Sequence, residues 1–126
     1  MKFRTPISQA KGLGSAKEGA HHWWMQRLTA IALVPLTLWF TFGVASMVGA
    51  DFEEMQKWIS NPWIAAFLLL FFIVSYYHGA IGIQVVLEDY VSTEGTRMFI
   101  NIAVKLILTL LGTASAIAII RIAATG

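Results

Sequence analysis

Three long apolar blocks constrain this chain more than any other feature of its sequence. The blocks at 28–50 and 63–87 contain no Asp, Glu, Lys or Arg, and the block at about 98–124 contains only Lys105 and Arg121. A helix needs about 20 mostly apolar residues to cross a bilayer. Because the backbone inside lipid must satisfy its own hydrogen bonds, helix is the expected structure for each block. The sequence therefore predicts an all-α integral membrane protein with three spans.

The three spans and their short connectors account for most of the 126 residues. We therefore expect one membrane-anchor domain over 1–126, with 1–27 as a segment before the first span. Only 13% of the residues are charged, which is too few for the surface of a small soluble enzyme. The chain has no cysteine, and this excludes disulfides, Cys-ligated iron–sulfur clusters and covalently attached haem.

Positive charge is concentrated before the first span, whereas the first connector contains only Lys57 as a basic residue. By the positive-inside rule, we expect a cytoplasmic N-terminus and a periplasmic C-terminus in a bacterial inner membrane. Residues 1–20 are polar and without a clear helical period, so they favour a disordered basic tail on anionic lipid or a segment packed against a soluble partner. We expect the chain to contact membrane lipid and not to bind nucleic acid. The five basic residues before the first span are Lys2, Arg4, Lys11, Lys17 and Arg27.

His78 lies well inside the second predicted span, where an ionisable side chain usually faces a bundle interior, a partner or a cofactor. Gly79 and Gly82 leave a shallow groove beside its ring. Three interpretations stay open: an interhelical hydrogen bond at a close helix contact, a haem ligand given room by the glycines, or a proton relay. Helical spacing places on one face the residues Ser75, His78, Gly82, Val85 and Asp89.

Other polar residues at the span ends also have two interpretations each. Asp89 and Tyr90 end the second span. In one interpretation Tyr90 anchors the helix at the interface and the Asp89 carboxylate is solvated. In the other the two residues form a quinone site, since a Tyr hydroxyl can donate to a quinone carbonyl and a carboxylate can relay protons. Arg27 opens the first span, either to set topology or to pair with a haem propionate. His21 and His22 lie too near the interface to share an axial pair with His78. A bis-histidine haem therefore requires a partner chain.

Two stretches of the chain, and a short segment upstream of both, resemble the membrane anchors of succinate dehydrogenase. His78, Gly82 and the Asp89–Tyr90 pair are similar to the second helix of the smaller of the two anchors of complex II, a cytochrome b556-type small subunit. The segment 21–30, HHWWMQRLTA, resembles the start of that family's first helix, and 12–17, GLGSAK, resembles its alpha-proteobacterial members. The third span matches in hydropathy alone.

The resemblance implies a three-helix chain that forms half of a heterodimeric bundle around one haem b. It implies that His78 is one axial ligand of the haem iron and that the larger anchor, the cytochrome b subunit, supplies the second axial ligand. It also implies that Arg27 contacts a haem propionate and that His21 lies near the haem edge. Tyr90 would hydrogen-bond ubiquinone, with Asp89 in the same site. FAD and the iron–sulfur clusters would belong to a flavoprotein subunit and an iron–sulfur subunit, in agreement with the absence of cysteine here.

The implied function is the hydrophobic anchor of succinate:quinone oxidoreductase, which passes electrons from succinate to quinone and is not catalytic alone. One alternative is the anchor of a quinol:fumarate reductase, which uses the same parts in the opposite direction. A second alternative, from another class, is a small membrane scaffold or a transporter component without a cofactor, which would be colourless when purified.

Overall fold

The computed structural model describes the backbone of residues 15–125 and the side chains of residues 19–125. The described range contains helices and no strand, which confirms the all-α prediction. Three of the helices are long and apolar enough to cross a membrane, so the chain is a multi-pass membrane protein. The four helices are α1 (Ser15–Ser46), α2 (Phe52–Ser60), α3 (Pro62–Tyr90) and α4 (Glu94–Thr125).

The first helix is displaced toward the N-terminus relative to the predicted span of 28–50. It is helical from Ser15, the first residue that the structure describes, and the residues that follow are mostly good helix formers, although many are too polar to count toward a span. It ends at Ser46, since Gly49 adopts a φ of 84° in the turn that follows. The segment 1–20, which has no clear helical period in sequence, is helical over 15–20, so a disordered tail is wrong for these residues, and 1–14 lie outside the described residues.

The first connector contains a short helix, α2, that the hydropathy pattern did not predict. Its start is a capping box in which the Glu54 N–H donates to Asp51 Oδ1 (2.9 Å) and the Asp51 N–H donates to Glu54 Oε2 (3.0 Å). After this helix ends, the Asn61 side chain accepts from the Trp63 N–H (3.0 Å), with Pro62 opening α3. Asp51 and Asn61 therefore cap the starts of two helices within the polar connector.

The second connector is shorter than the predicted 88–97, because α3 continues to Tyr90 and α4 begins at Glu94. The Val91 N–H donates to the Leu87 carbonyl (3.0 Å), and the Arg97 side chain donates to the Val91 carbonyl (3.3 Å). Val91, in the turn between the two spans, is thus hydrogen-bonded both to α3 and to α4.

The helices form a row with α3 in the middle. Over the described residues, α1 and α4 both pack against α3 but make no close backbone contact with each other. Little of the chain is buried, and Thr29 is its only buried polar residue within that range. A single row cannot cover its own apolar faces, so lipid or other subunits must cover them. The buried apolar residues are Leu36, Ala65, Leu68, Ile81, Leu87 and Ile119.

Aromatic residues join α2 to the end of α1. The rings of Trp39 and Trp58 are stacked with centroids 6.3 Å apart, and Trp58 lies directly against Gly43. In the middle of the row, the Tyr76 hydroxyl of α3 is 3.2 Å from Ser115 Oγ of α4, which gives this mid-membrane tyrosine a hydrogen-bond partner.

We expect Gly43→Ala to destabilise the assembled protein and Gly112→Ala to be neutral or stabilising. A Cβ at Gly43 would lie 2.9 Å from the Trp58 ring, which is held by its stacking on Trp39, whereas a Cβ at Gly112 would lie 3.4 Å from the Tyr76 ring. Overpacking at Gly43 outweighs the gain in helix propensity, for a net cost of about 1–2 kcal/mol. Thermal unfolding of the purified complex measures both variants, and equal melting temperatures for the two would contradict the contact.

Candidate functional site

His78 lies on α3, is half-buried, and contacts α1 through one hydrogen bond. Its Nδ1 is 2.9 Å from Thr29 Oγ1. Thr29 is 6% exposed, and its hydroxyl donates to the Met25 carbonyl at 2.7 Å, with the Gln26 carbonyl 3.2 Å away. The histidine is therefore attached to the neighbouring helix by one ring nitrogen. Its other ring nitrogen, Nε2, has no hydrogen-bond partner in the described part of the chain.

An open, mostly apolar groove of about 400 Å³ passes His78. Its other lining residues all belong to α1, so the groove follows the face that α1 and α3 share. The two nearby glycines add free space: a Cβ at Gly79 would meet nothing within 4 Å, and one at Gly82 would meet only Gln26 Nε2 at 3.9 Å. A flat group could therefore approach this part of α3. The α1 residues that line the groove are Ala30, Leu33, Val34, Thr37 and Leu38.

A second, more polar cleft of about 490 Å³ lies between the first turns of α1 and the last turns of α3. Arg27 lines it, with its guanidinium carbon 5.3 Å from the centre of the Trp23 ring. Gln26 Oε1 is buried without a hydrogen-bond partner among the described residues. We call this space the polar cleft. Its lining residues are Gly19, His22, Trp23, Gln26, Arg27, Ile81, Gln84, Val85 and Glu88.

The structure gives the remaining predicted site residues more peripheral positions. Asp89 and Tyr90 are the last two residues of α3, both exposed, with Tyr90 at 84%. Neither lines the groove or the polar cleft. His21 is exposed, and its neighbour His22 lines the polar cleft instead. The chain alone thus associates Arg27 with a cleft and His78 with a groove, and it leaves the Asp89–Tyr90 pair open on its surface.

Several polar residues at these two spaces were not predicted as site residues. Thr29 contacts His78, while Gln26, Gln84 and Glu88 line the polar cleft, where Gln84 Nε2 donates to Glu88 Oε1 at 3.3 Å. A signal for two of them is present in the sequence. His22, Gln26 and Thr29 follow each other at spacings of four and three, so they form one polar stripe of a helix. That stripe faces α3.

These observations define a class of protein: a helical membrane protein with an open face and a half-buried histidine within a spanning helix. The chain belongs to the succinate dehydrogenase/fumarate reductase transmembrane subunit family, which it matches over residues 1–114. It is 42% identical over 104 residues to the succinate dehydrogenase hydrophobic membrane anchor subunit of Rickettsia bellii, covering 82% of this chain and 83% of the relative. It is 37% identical over 97 residues to the protein of the same name from Paracoccus denitrificans, covering 77% and 74%.

A third relative is the succinate dehydrogenase membrane anchor subunit of Reclinomonas americana, 33% identical over 85 residues, which are 65% of this chain and 71% of the relative. The family and the anchor role expected from the two sequence stretches are thereby confirmed. None of these three relatives is named as a fumarate reductase anchor.

Proposed function

We propose that this anchor of succinate dehydrogenase ligates a haem b through His78 and contributes Tyr90 and Asp89 to a ubiquinone-reduction site. The single observation that carries the haem assignment is a half-buried histidine in the apolar span α3 that lines an open groove. Thr29 pairs only Nδ1 of the ring, so the interhelical hydrogen bond satisfies half of its polar capacity, and the cost of placing Nε2 in the span is offset when Nε2 serves a partner or a cofactor.

The residues at the groove fit a haem. A neutral imidazole nitrogen is a common iron ligand, and the free space at Gly79 and Gly82 leaves room for a flat macrocycle. When bound, the haem supplies a one-electron redox centre. His78 would hold the iron together with a histidine of the cytochrome b subunit. Arg27, at the polar cleft, would pair with a propionate, with His21 near the haem edge.

The quinone assignment depends on the end of α3. The Tyr90 hydroxyl is exposed and can donate a hydrogen bond to a quinone carbonyl. Reduction of a quinone takes up two protons, and the adjacent Asp89 carboxylate can pass them on from water. Because both side chains lie on an open surface, we propose that a partner chain closes the site around the quinone.

The assembly that this function needs is the one that the family implies. We propose that FAD and the iron–sulfur clusters reside in a flavoprotein subunit and an iron–sulfur subunit, and the absence of cysteine from this chain agrees with the placement of the clusters elsewhere. The basic residues before the first span support a cytoplasmic N-terminus and a periplasmic C-terminus in the bacterial inner membrane. In this proposal the whole chain, 1–126, acts as one anchor domain.

The test is a reduced-minus-oxidised visible spectrum of the purified complex. We expect the absorption bands of a b-type haem, together with about one haem for each copy of this chain. A complex that retains succinate oxidation but shows no b-type bands and no bound haem would contradict the haem assignment and favour a purely structural anchor.

A further inference from the structure

We infer that Thr29 is a positioning residue for His78: it accepts a hydrogen bond from Nδ1–H and thereby leaves Nε2 as the nitrogen that binds iron. The inference rests on the proposed haem site and deepens it. It starts from one contact, the 2.9 Å between Thr29 Oγ1 and His78 Nδ1.

The direction of this hydrogen bond follows from a count of hydrogens. A threonine hydroxyl has one hydrogen and two acceptor lone pairs, and a neutral imidazole has one N–H. If Thr29 donates to the Met25 carbonyl at 2.7 Å, its oxygen can accept Nδ1–H, and every polar hydrogen of the pair has a partner. If instead Thr29 donates to Nδ1, the hydrogen moves to Nε2, which has no acceptor in the described part of the chain. Because lipid in the open groove offers no acceptor in place of water, an unpaired N–H there costs about 1–3 kcal/mol, so the first arrangement is favoured.

The surroundings make this arrangement rigid. Thr29 is 6% exposed and lies on α1, whereas His78 lies on α3, so the hydrogen bond fixes the ring relative to both helices. Water does not compete for the bond in an apolar interior of low dielectric constant. A donated N–H also makes the imidazole a stronger electron donor to a metal. Thr29 therefore selects the tautomer, orients the ring and strengthens it as an electron donor to the iron.

The experiment compares Thr29→Val with Thr29→Ser in the purified complex. Valine keeps the shape of threonine but has no hydroxyl, and serine keeps the hydroxyl. We expect Thr29→Val to raise the haem midpoint potential, because a weaker donor stabilises ferric iron less, and to shift the g-values of the ferric haem in electron paramagnetic resonance. Thr29→Ser should keep the midpoint potential and the g-values close to those of the wild type. Succinate oxidation with an artificial acceptor should stay unchanged in both variants.

Thr37→Val is the matched control, since Thr37 lines the same groove on α1 without a hydrogen bond to His78. It should leave the potential and the g-values at their wild-type positions. An equal shift in Thr37→Val would overturn the inference, because the effect would then come from groove polarity. A Thr29→Val complex with the midpoint potential and g-values of the wild type would also overturn the inference. In that case the spectrum of His78→Leu still tests the haem assignment independently.

A loss of assembly also has a defined meaning. If Thr29→Val does not assemble, Thr29→Ala takes its place as the smaller variant without a hydroxyl, with the same expected shifts. Failure of both to assemble would contradict the inference, which gives Thr29 a role in ring position and none in the association of the subunits.

Discussion

Replacing His78 with leucine is expected to abolish or strongly perturb the b-type spectrum of the complex. Leucine is of similar size and apolar, so α3 still inserts into the membrane, but it offers no nitrogen to iron. The histidine of the cytochrome b subunit would be left as the only axial ligand from the proposed pair. The measurement is the reduced-minus-oxidised spectrum together with the ratio of haem to protein in the purified complex.

His22→Leu is the control for that substitution. It removes a histidine of the same chain that lies near the start of α1, in the polar cleft and away from the groove that His78 lines. We expect it to keep the b-type bands. An unchanged spectrum in His78→Leu, with wild-type haem content, would refute the ligand assignment.

Tyr90→Phe is expected to lower quinone reductase activity by about tenfold, the effect of losing one hydrogen bond of roughly 1.4 kcal/mol in the transition state. Phenylalanine keeps the ring at the end of α3 and removes only the hydroxyl. Succinate oxidation with an artificial acceptor should persist, because that reaction bypasses the quinone. Both rates are measured on the same preparation of the complex.

Tyr77→Phe supplies the comparison, because Tyr77 is another exposed tyrosine of α3 whose hydroxyl makes no hydrogen bond in the described residues. It should leave quinone reduction at its wild-type rate. If Tyr90→Phe reduced both activities equally, the residue would act in assembly of the complex instead of in quinone binding.

The spans could be predicted from sequence because the cost of placing charge in lipid is large and local. The helix ends could not, since hydropathy indicates where lipid lies and not where backbone hydrogen bonding stops. The helix through Ser15 and the helix α2 show the difference, because both contain charged residues that a hydropathy argument assigns to connectors. The Asp51 and Glu54 capping pair was visible in the sequence as a helix start.

The candidate site divides in a similar way. His78 stands out in the sequence because its depth in the membrane makes it exceptional. Thr29 belongs to a polar stripe of α1 that the spacing of His22, Gln26 and Thr29 reveals, but its contact with His78 depends on the packing of α1 against α3 and cannot be read from one helix. Asp89 and Tyr90 were identified through a resemblance, and the chain's own fold adds to them only an exposed position at a helix end.

The row arrangement of the spans has a consequence for the order of biosynthesis. The ribosome releases α1 first, yet over the described residues the only spanning helix that α1 touches is α3, which begins about 16 residues after α1 ends. Before α3 enters the bilayer, the Thr29 hydroxyl can already donate a hydrogen bond to the Met25 carbonyl of its own helix. The His78 ring makes no such hydrogen bond within α3 among the described residues. The polar contact between these spans therefore cannot form before α3 is synthesised, and it needs no residue of α4.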